Sequence, residues 1–311
     1  MVVMTDITPC HPGLALTIVC RFVRCLPRGR SWAIRWLLPF ARPSAPVVGR
    51  FDGGKLQFIA DLSEAIGRNL YFYGFYEQTI TAVVAQLLLP GQVFIDIGAN
   101  FGYFTLFAAR RVQPRGRVFA FEPDPTNLRL LHANIALNKL PNVVVEETAV
   151  AASEGECEFF PTVKAQWSRG KASTVAPDIG APPADTMTVR TVSLDEYCDV
   201  NAVERVDVVK MDIEGGEALA IEGMGEGIRR KRYRRVLLEL HSAALRRLGV
   251  APEDLLRRFL DNGYRCFRIR NARSGWWGHY SLRFDSNLLI EDDGKQVPEK
   301  CPHYLVTIDP V

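Results

Sequence analysis

The 311-residue chain is 48% hydrophobic and 23% charged, proportions that sustain a folded core and exclude global disorder. A formal net charge of +3 is too small to argue for a nucleic-acid partner. The seven cysteines form no C-x-x-C pair and no Cys/His group with zinc spacing, which fits free thiols in a reducing, cytoplasmic setting. The charge is uneven along the chain. Residues 1–50 carry Arg21, Arg24, Arg28, Arg30, Arg35, Arg42 and Arg50 against a single acid, Asp6, so 1–46 reads as a basic arm with a proline-containing linker. Its longest apolar run, 14–20, is far short of the roughly 18 residues a membrane span needs. Arginines follow that run instead of preceding it, against the pattern of a signal peptide. Between 20 and 42, arginines alternate with Phe, Val, Leu, Ile and Trp. Two readings fit: an amphipathic helix lying on the cytoplasmic face of an anionic membrane, or a helix packed on the domain, with Pro27 and Gly29 interrupting the pattern.

From 47 to 60 alternation around Gly53-Gly54 predicts a hairpin, and 79–89 a helix ended by Pro90-Gly91, together a lead-in over 47–90. A βα rhythm then fills 91–311. Strands are expected at 93–97, 117–121, 143–150, 206–213 and 236–240, and helices at 104–112, 126–137, from 217, and at 252–262. Runs at 266–269, 287–290 and 304–308 would add antiparallel edges. This pattern predicts an α/β, Rossmann-like fold, with a mostly parallel central sheet and helices on both faces. Residues 151–187, with Trp167, Arg169 and Lys171, break the rhythm as an inserted loop. A second loop holds Trp276, Trp277, His279 and Tyr280, suited either to stacking on a sugar ring or to an ordinary core hairpin.

The strongest local signal is Asp96-Ile97-Gly98-Ala99-Asn100-Phe101-Gly102, directly after a strand and opening a helix. Glycines there let the backbone turn tightly against a ligand. Glu122 follows twenty residues after Gly102, at the end of the next strand, where an acid can bond both ribose hydroxyls of a nucleotide cofactor. The spacing is G-x-x-x-G, and Asp96 precedes it. A carboxylate suits a cationic ligand better than a diphosphate, so S-adenosylmethionine fits better than NAD(P). Asp96 could instead be a strand-end residue that bonds the loop backbone.

The segments V-F-I-D-I-G-A-N-F-G-Y-F-T-L (93–106), V-F-A-F-E-P (118–123) and K-M-D-I-E-G-G-E (210–217) resemble the FkbM family of methyltransferases. Tyr73-Gly74-Phe75-Tyr76-Glu77 upstream and Leu238-Glu239-Leu240-His241 downstream extend the likeness to about residues 68–290. The family's usual D-V-E-G-A-E stands here as D-I-E-G-G-E. The resemblance implies a class I methyltransferase fold and S-adenosylmethionine-dependent O-methylation of sugar or secondary-metabolite hydroxyls. It also implies that Asp96, Gly98 and Gly102 cradle the methionine end, that Glu122 holds the ribose, and that adenine lies near 147–149; Asn100, in the same turn, is a further cofactor-binding candidate.

Lys210, Asp212 and Glu214 alternate, so as strand residues they share a face at the carboxyl end where ligands of open α/β sheets bind. His241 ends the next strand on the face of Glu239. Asp212 and His241 are the candidate general bases for a hydroxyl acceptor, with Glu214 orienting either. Acid in the first turn of a helix accounts for Glu217 without a site. No metal is required, although Asp212 and Glu214 could ligate one. The competing readings are an NAD(P)-dependent oxidoreductase, disfavoured by the missing third glycine, and a non-catalytic protein that retains the fold.

Overall fold

A computed structural model describes residues 9–26, 29–160, 186–270, 284–300 and 302–310. The arm is two helices, α1 (Leu14–Cys25) and α2 (Arg30–Ala41), and the break falls where the sequence carries Pro27 and Gly29. The hairpin follows as β1 (Val47–Phe51) paired antiparallel with β2 (Leu56–Ala60), turning through Gly53 and Gly54 at φ of 64° and 84°. Next come α3 (Ala65–Tyr73) and α4 (Gln78–Leu87). The alternating region runs β3 (Val93–Ile97), α5 (Tyr103–Val112), β4 (Arg117–Phe121), α6 (Pro125–Asn138) and β5 (Val143–Glu146). Three strands follow, β6 (Ala149–Ala151), β7 (Gly155–Phe159) and β8 (Met187–Ser193), then α7 (Leu194–Val200) and β9 (Val208–Met211). Two short helices, α8 (Glu217–Glu222) and α9 (Gly225–Arg229), lead to β10 (Arg235–Glu239), α10 (Ser242–Arg247) and α11 (Pro252–Leu260). The chain closes with β11 (Arg265–Ile269), β12 (Leu289–Glu291) and β13 (His303–Thr307).

Local chemistry sets these boundaries. Asp124 caps α6 by accepting from the Thr126 N–H at 2.7 Å, and Pro125 fills the first turn, where no amide partner is needed. In α11 Pro252 opens the helix, Glu253 and Asp254 sit in the first turn, and Arg257 and Arg258 in the last, each complementing the helix dipole.

The central sheet has eight strands in the order β12-β11-β13-β10-β9-β3-β4-β5. β10, β9, β3, β4 and β5 are parallel, and β13, β11 and β12 add the expected antiparallel edge. Alternate residues of the parallel strands enter opposite cores. Phe94, Val118, Val208 and Leu237 pack in one cluster, and Ile95, Phe119, Val209 and Leu238 in another. The first cluster continues without a break into Phe58, Leu38, Ile34, Val23 and Leu16, so the arm and the hairpin share the core of the sheet. Asn134 and Asn138 of α6 bond the edge of β2: Asn134 Oδ1 accepts from the Ile59 N–H at 2.7 Å, and Asn138 Oδ1 from the Gln57 N–H at 2.8 Å.

Two expectations change in detail. The strand expected at 143–150 is two: β5 ends at Glu146, and β6 joins β8 and β7 in a separate three-stranded sheet, order β6-β8-β7. That small sheet also orders the two ends of the 151–187 insertion. Trp167, Arg169 and Lys171, and the Trp276, Trp277, His279 and Tyr280 cluster, lie outside the described residues.

Candidate active site

β3 and β9 lie side by side and parallel, with Ile97 opposite Met211. From β3 the chain proceeds outward through β4 and β5, whereas β9 is followed by β10 on the other side. This reversal of strand order opens a crevice beyond the carboxyl ends of the strands, the place where open α/β sheets bind ligands. A cavity fills it.

The glycine turn closes on itself through the neighbouring strands. The N–H groups of Gly98 and Ala99 both donate to Phe121 O at 3.0 Å, and the Asp212 N–H donates to Ile97 O at 3.1 Å. Gly98 has φ of 81°, and a Cβ there would stand 2.1 Å from Asp212 O, so both conformation and space require glycine. Gly102, at φ of 98°, caps α5 behind the cavity wall. Asn100 lines the cavity with a positive φ of 54°, and its N–H donates to Glu122 Oε2 at 2.7 Å. Glu122 Oε1 accepts from the Asp124 N–H at 2.9 Å and from Asn127 Nδ2 at 3.3 Å. A carboxylate has about four lone-pair sites. Three are taken, which leaves room for one ribose hydroxyl, whereas the sequence suggested two. Burial pushes the Glu122 carboxyl up to about 7 against the pull of those donors.

Asp96 does not line the cavity. Its side chain is buried under α5 and its Oδ2 accepts from Thr105 Oγ1 at 2.6 Å. Burial raises its pKa, and the Lys210 ammonium opposes that shift. Asp96 acts on the site through Lys210, which stands opposite it in the β3–β9 ladder.

The opposite side of the cavity is built from several elements. Tyr76 and Glu77 come from the segment before α4, Lys210 from β9, Asp212 and Glu214 from the turn beyond it, and Glu239 from the end of β10. Lys210 Nζ is 3.4 Å from Asp212 Oδ2 and 4.8 Å from the centre of the Phe104 ring. Burial disfavours the Lys210 charge, but Asp212, Asp96, Glu77 and Glu239 outweigh it and raise its pKa. For Asp212, burial pushes up, and Lys210, His241 and His303 together hold the carboxyl below its usual range. Burial pushes Glu77 up to about 7. Glu77 and Glu214 both hold left-handed backbone, at φ of 42° and 50°, a conformation that costs a non-glycine residue energy.

The structure places His241 just beyond the cavity wall, at the start of α10. Its Nδ1 is 2.6 Å from Glu217 Oε1 and its Nε2 is 3.3 Å from Glu214 Oε2. Burial works against the charged ring, but Glu217, Glu214 and Asp212 raise the pKa to about 9. The raised pKa favours the imidazolium near neutral pH, bonded to Glu217 and Glu214. A group whose folded pKa is raised stabilises fully below its unfolded value and loses that contribution as pH climbs to the folded value. Urea unfolding should therefore show wild type losing on the order of 2–3 kcal/mol more than His241→Gln between pH ~6.5 and ~9. Parallel pH curves for the two proteins would contradict the charged assignment.

Sequence reasoning did not select Glu77, Lys210 and Glu239 as site residues, although all three stood in the quoted motifs. Two triads of ligand atoms, Glu77, Glu239 and His303, and Asp212, Glu239 and His241, lie within 4.8 Å of one another, a spacing a divalent cation can bridge. Lys210 supplies positive charge against the same carboxylates.

Comparison with known proteins decides the class. Residues 96–266, more than half of the chain, match the Methyltransferase FkbM domain. The chain belongs to the FkbM methyltransferase family. Among its relatives, hexuronic acid methyltransferase AglP of Haloferax volcanii is 26% identical over 75% of this chain and 86% of that protein. 2-O-methyltransferase NoeI of Sinorhizobium fredii is 27% identical over 49% of this chain and 65% of its own length. The 31-O-demethyl-FK506 methyltransferase FkbM of Streptomyces tacrolimicus is 29% identical over 50% of this chain and 67% of that protein. This chain is a methyltransferase, and its cofactor is S-adenosylmethionine. The described residues fit that group. Glu77, Glu122, Asp212, Glu214 and Glu239 line the cavity against one cation, Lys210. Such an excess of carboxylates accommodates a sulfonium and an ammonium and repels the diphosphate of NAD(P). Phe121, Pro123, Thr148 and Ala149 line the same cavity, beside the position expected for adenine.

Proposed function

We propose that this methyltransferase acts on a hydroxyl group of a sugar, glycolipid or secondary metabolite, with Asp212 as the general base. The observation that carries the reading is Asp212 itself: a cavity-lining carboxylate beyond the end of β9, kept ionised by Lys210 and beside Glu77 and Glu239. Bound S-adenosylmethionine supplies an electrophilic methyl carbon. In this reading Glu122 and the Gly98–Asn100 turn orient the donor, and the acceptor hydroxyl lies toward Asp212. With the cofactor bound, Asp212 would take the hydroxyl proton as the acceptor oxygen receives the methyl group. Alignment supplies much of the acceleration, so a base of depressed pKa suffices. The names of two relatives, a hexuronic acid methyltransferase and a 2-O-methyltransferase, support a hydroxyl of a sugar-like acceptor.

A second base is favoured by one observation. Glu77, pushed up to about 7 and strained at φ of 42°, lines the same side of the cavity, and its affinity for a proton matches neutral pH. The test of the reading is a transfer assay with methyl-labelled S-adenosylmethionine against hydroxylated glycans, glycolipids and secondary metabolites, read by mass. Label on acceptor oxygen is expected; label found only on nitrogen or carbon would reject the hydroxyl assignment.

A further inference from the structure

The α1–α2 hairpin has a face that the methyl-transfer site does not explain. Each helix buries one side, through Leu16 and Val23 of α1 and through Ala33, Ile34 and Leu38 of α2. The opposite side of each is also apolar. In α1, Leu14, Ile18 and Phe22 are 78%, 57% and 50% exposed; in α2, Trp32, Trp36 and Phe40 are 68%, 58% and 87% exposed. Both sets follow i, i+4, i+8 spacing, so each forms one continuous stripe along its helix. The other exposed large hydrophobics, Leu89, Val144, Val200, Leu219 and Leu248, come from separate elements and form no such stripe. Isolated exposed apolar residues are ordinary, whereas stripes of this kind mark a surface that meets something.

Charge identifies the partner. Residues 7–51 contain no Asp or Glu. Arg21, Arg35 and Arg42 are exposed on or beside the helices. The hairpin is anchored to the body by other groups: Arg24 donates to Tyr71 O at 2.8 Å and Phe72 O at 3.3 Å, and Ser31 Oγ lies 2.9 Å from Tyr73 Oη. Its outer face is therefore presented on a fixed platform. Helices with Trp and Phe on one side and arginines at the flanks, too short to span a bilayer, lie in the plane of a lipid surface. No helix among the described residues is long and apolar enough to cross a membrane.

We propose that the outer face of the α1–α2 hairpin docks on an anionic lipid bilayer, with Trp32, Trp36 and Phe40 and Leu14, Ile18 and Phe22 entering the interface and the exposed arginines meeting lipid phosphates. This surface is separate from the methyl-transfer site, and its test does not depend on the acceptor. Full-length protein is mixed with vesicles of phosphatidylcholine and phosphatidylglycerol, or of phosphatidylcholine alone, and floated on a density gradient. It should float with the anionic vesicles at low salt and be largely released at high salt, as charges screened at the surface require. Trp32→Ser/Trp36→Ser/Phe40→Ser, at exposed positions, should keep the wild-type melting temperature and S-adenosylmethionine affinity. Its partition onto anionic vesicles should fall about tenfold or more. Failure of the full-length protein to float, or a triple variant that floats equally well, overturns the proposal. So does a wild-type dimer in sedimentation that the triple variant splits, with no vesicle binding, since a second copy of the chain would then cover the stripes.

Discussion

Asp212→Asn is expected to lower kcat by about 10²–10⁴ while leaving S-adenosylmethionine affinity within a few-fold of wild type. The substitution keeps shape and removes the charge that accepts the acceptor proton. Lys210 loses the charge of its 3.4 Å partner, whose amide oxygen can still accept, and retains the nearby charges of Asp96, Glu77 and Glu239, so the protein should remain folded. The pH–rate profile separates the two candidate bases. Asp212 is held below the usual carboxylate range, so with Asp212 as base the rate should stay flat as pH falls from 8 toward 5, roughly a unit above an ordinary aspartate. With Glu77, pushed up to about 7, the rate should fall about tenfold per pH unit below that value, because a base must be deprotonated to act. Steady-state kinetics on Asp212→Asn and Glu77→Gln, each against a confirmed acceptor, give the answer. A normal kcat in Asp212→Asn would remove Asp212 from the chemistry.

The parallel half of the fold was legible because its strands are short apolar runs, each ended by a turn signal. Residues 93–97 and 117–121 were read with the boundaries the structure shows. Burial on both faces makes such strands continuously apolar, a pattern that survives without tertiary information. The break at 147–148 was not legible, because Val143 to Val150 is β-branched apart from Glu146, Glu147 and Ala149, and local propensity does not say which sheet a strand joins. The site was legible where it is sequence-local. Gly98, Asn100 and Glu122 converge as expected because a strand, a turn and the next strand are consecutive. It was less legible where it depends on which way one side chain turns. Asp96 reads as a ligand from its place at a strand end, yet it points beneath α5 to Thr105. His241 was expected to share a face with Glu239 by period two. The strand stops at Glu239, however, so Glu239 lines the cavity, whereas His241 stays close to Asp212 and Glu239 but bonds Glu217 of α8 from outside the lining. Glu77 reaches the site from 135 residues before Asp212, a distance no periodicity spans.

Glu122→Ala should raise the Kd for S-adenosylmethionine by about ten- to a hundredfold, the loss of about 1.5–3 kcal/mol attached to a hydrogen bond with a charged acceptor. Part of that effect would come from the loop, because Glu122 Oε2 also anchors the Asn100 N–H at 2.7 Å. Glu122→Gln separates the two contributions, since its amide oxygen can still accept from Asn100 but carries no charge. Linkage adds a sign that a purely structural role would not produce. Burial pushes the Glu122 carboxyl up to about 7, and a ribose hydroxyl donating to it favours the ionised form. Binding near neutral pH should therefore release protons, and affinity should rise with pH through about 7 before levelling off. Titration calorimetry in two buffers of different ionisation enthalpy reads that release directly. Glu122→Gln should bind more weakly than wild type above pH 7 and show no proton release. An unchanged Kd in both variants, or equal proton release from wild type and Glu122→Gln, would leave Glu122 as a loop anchor with no direct bond to the cofactor.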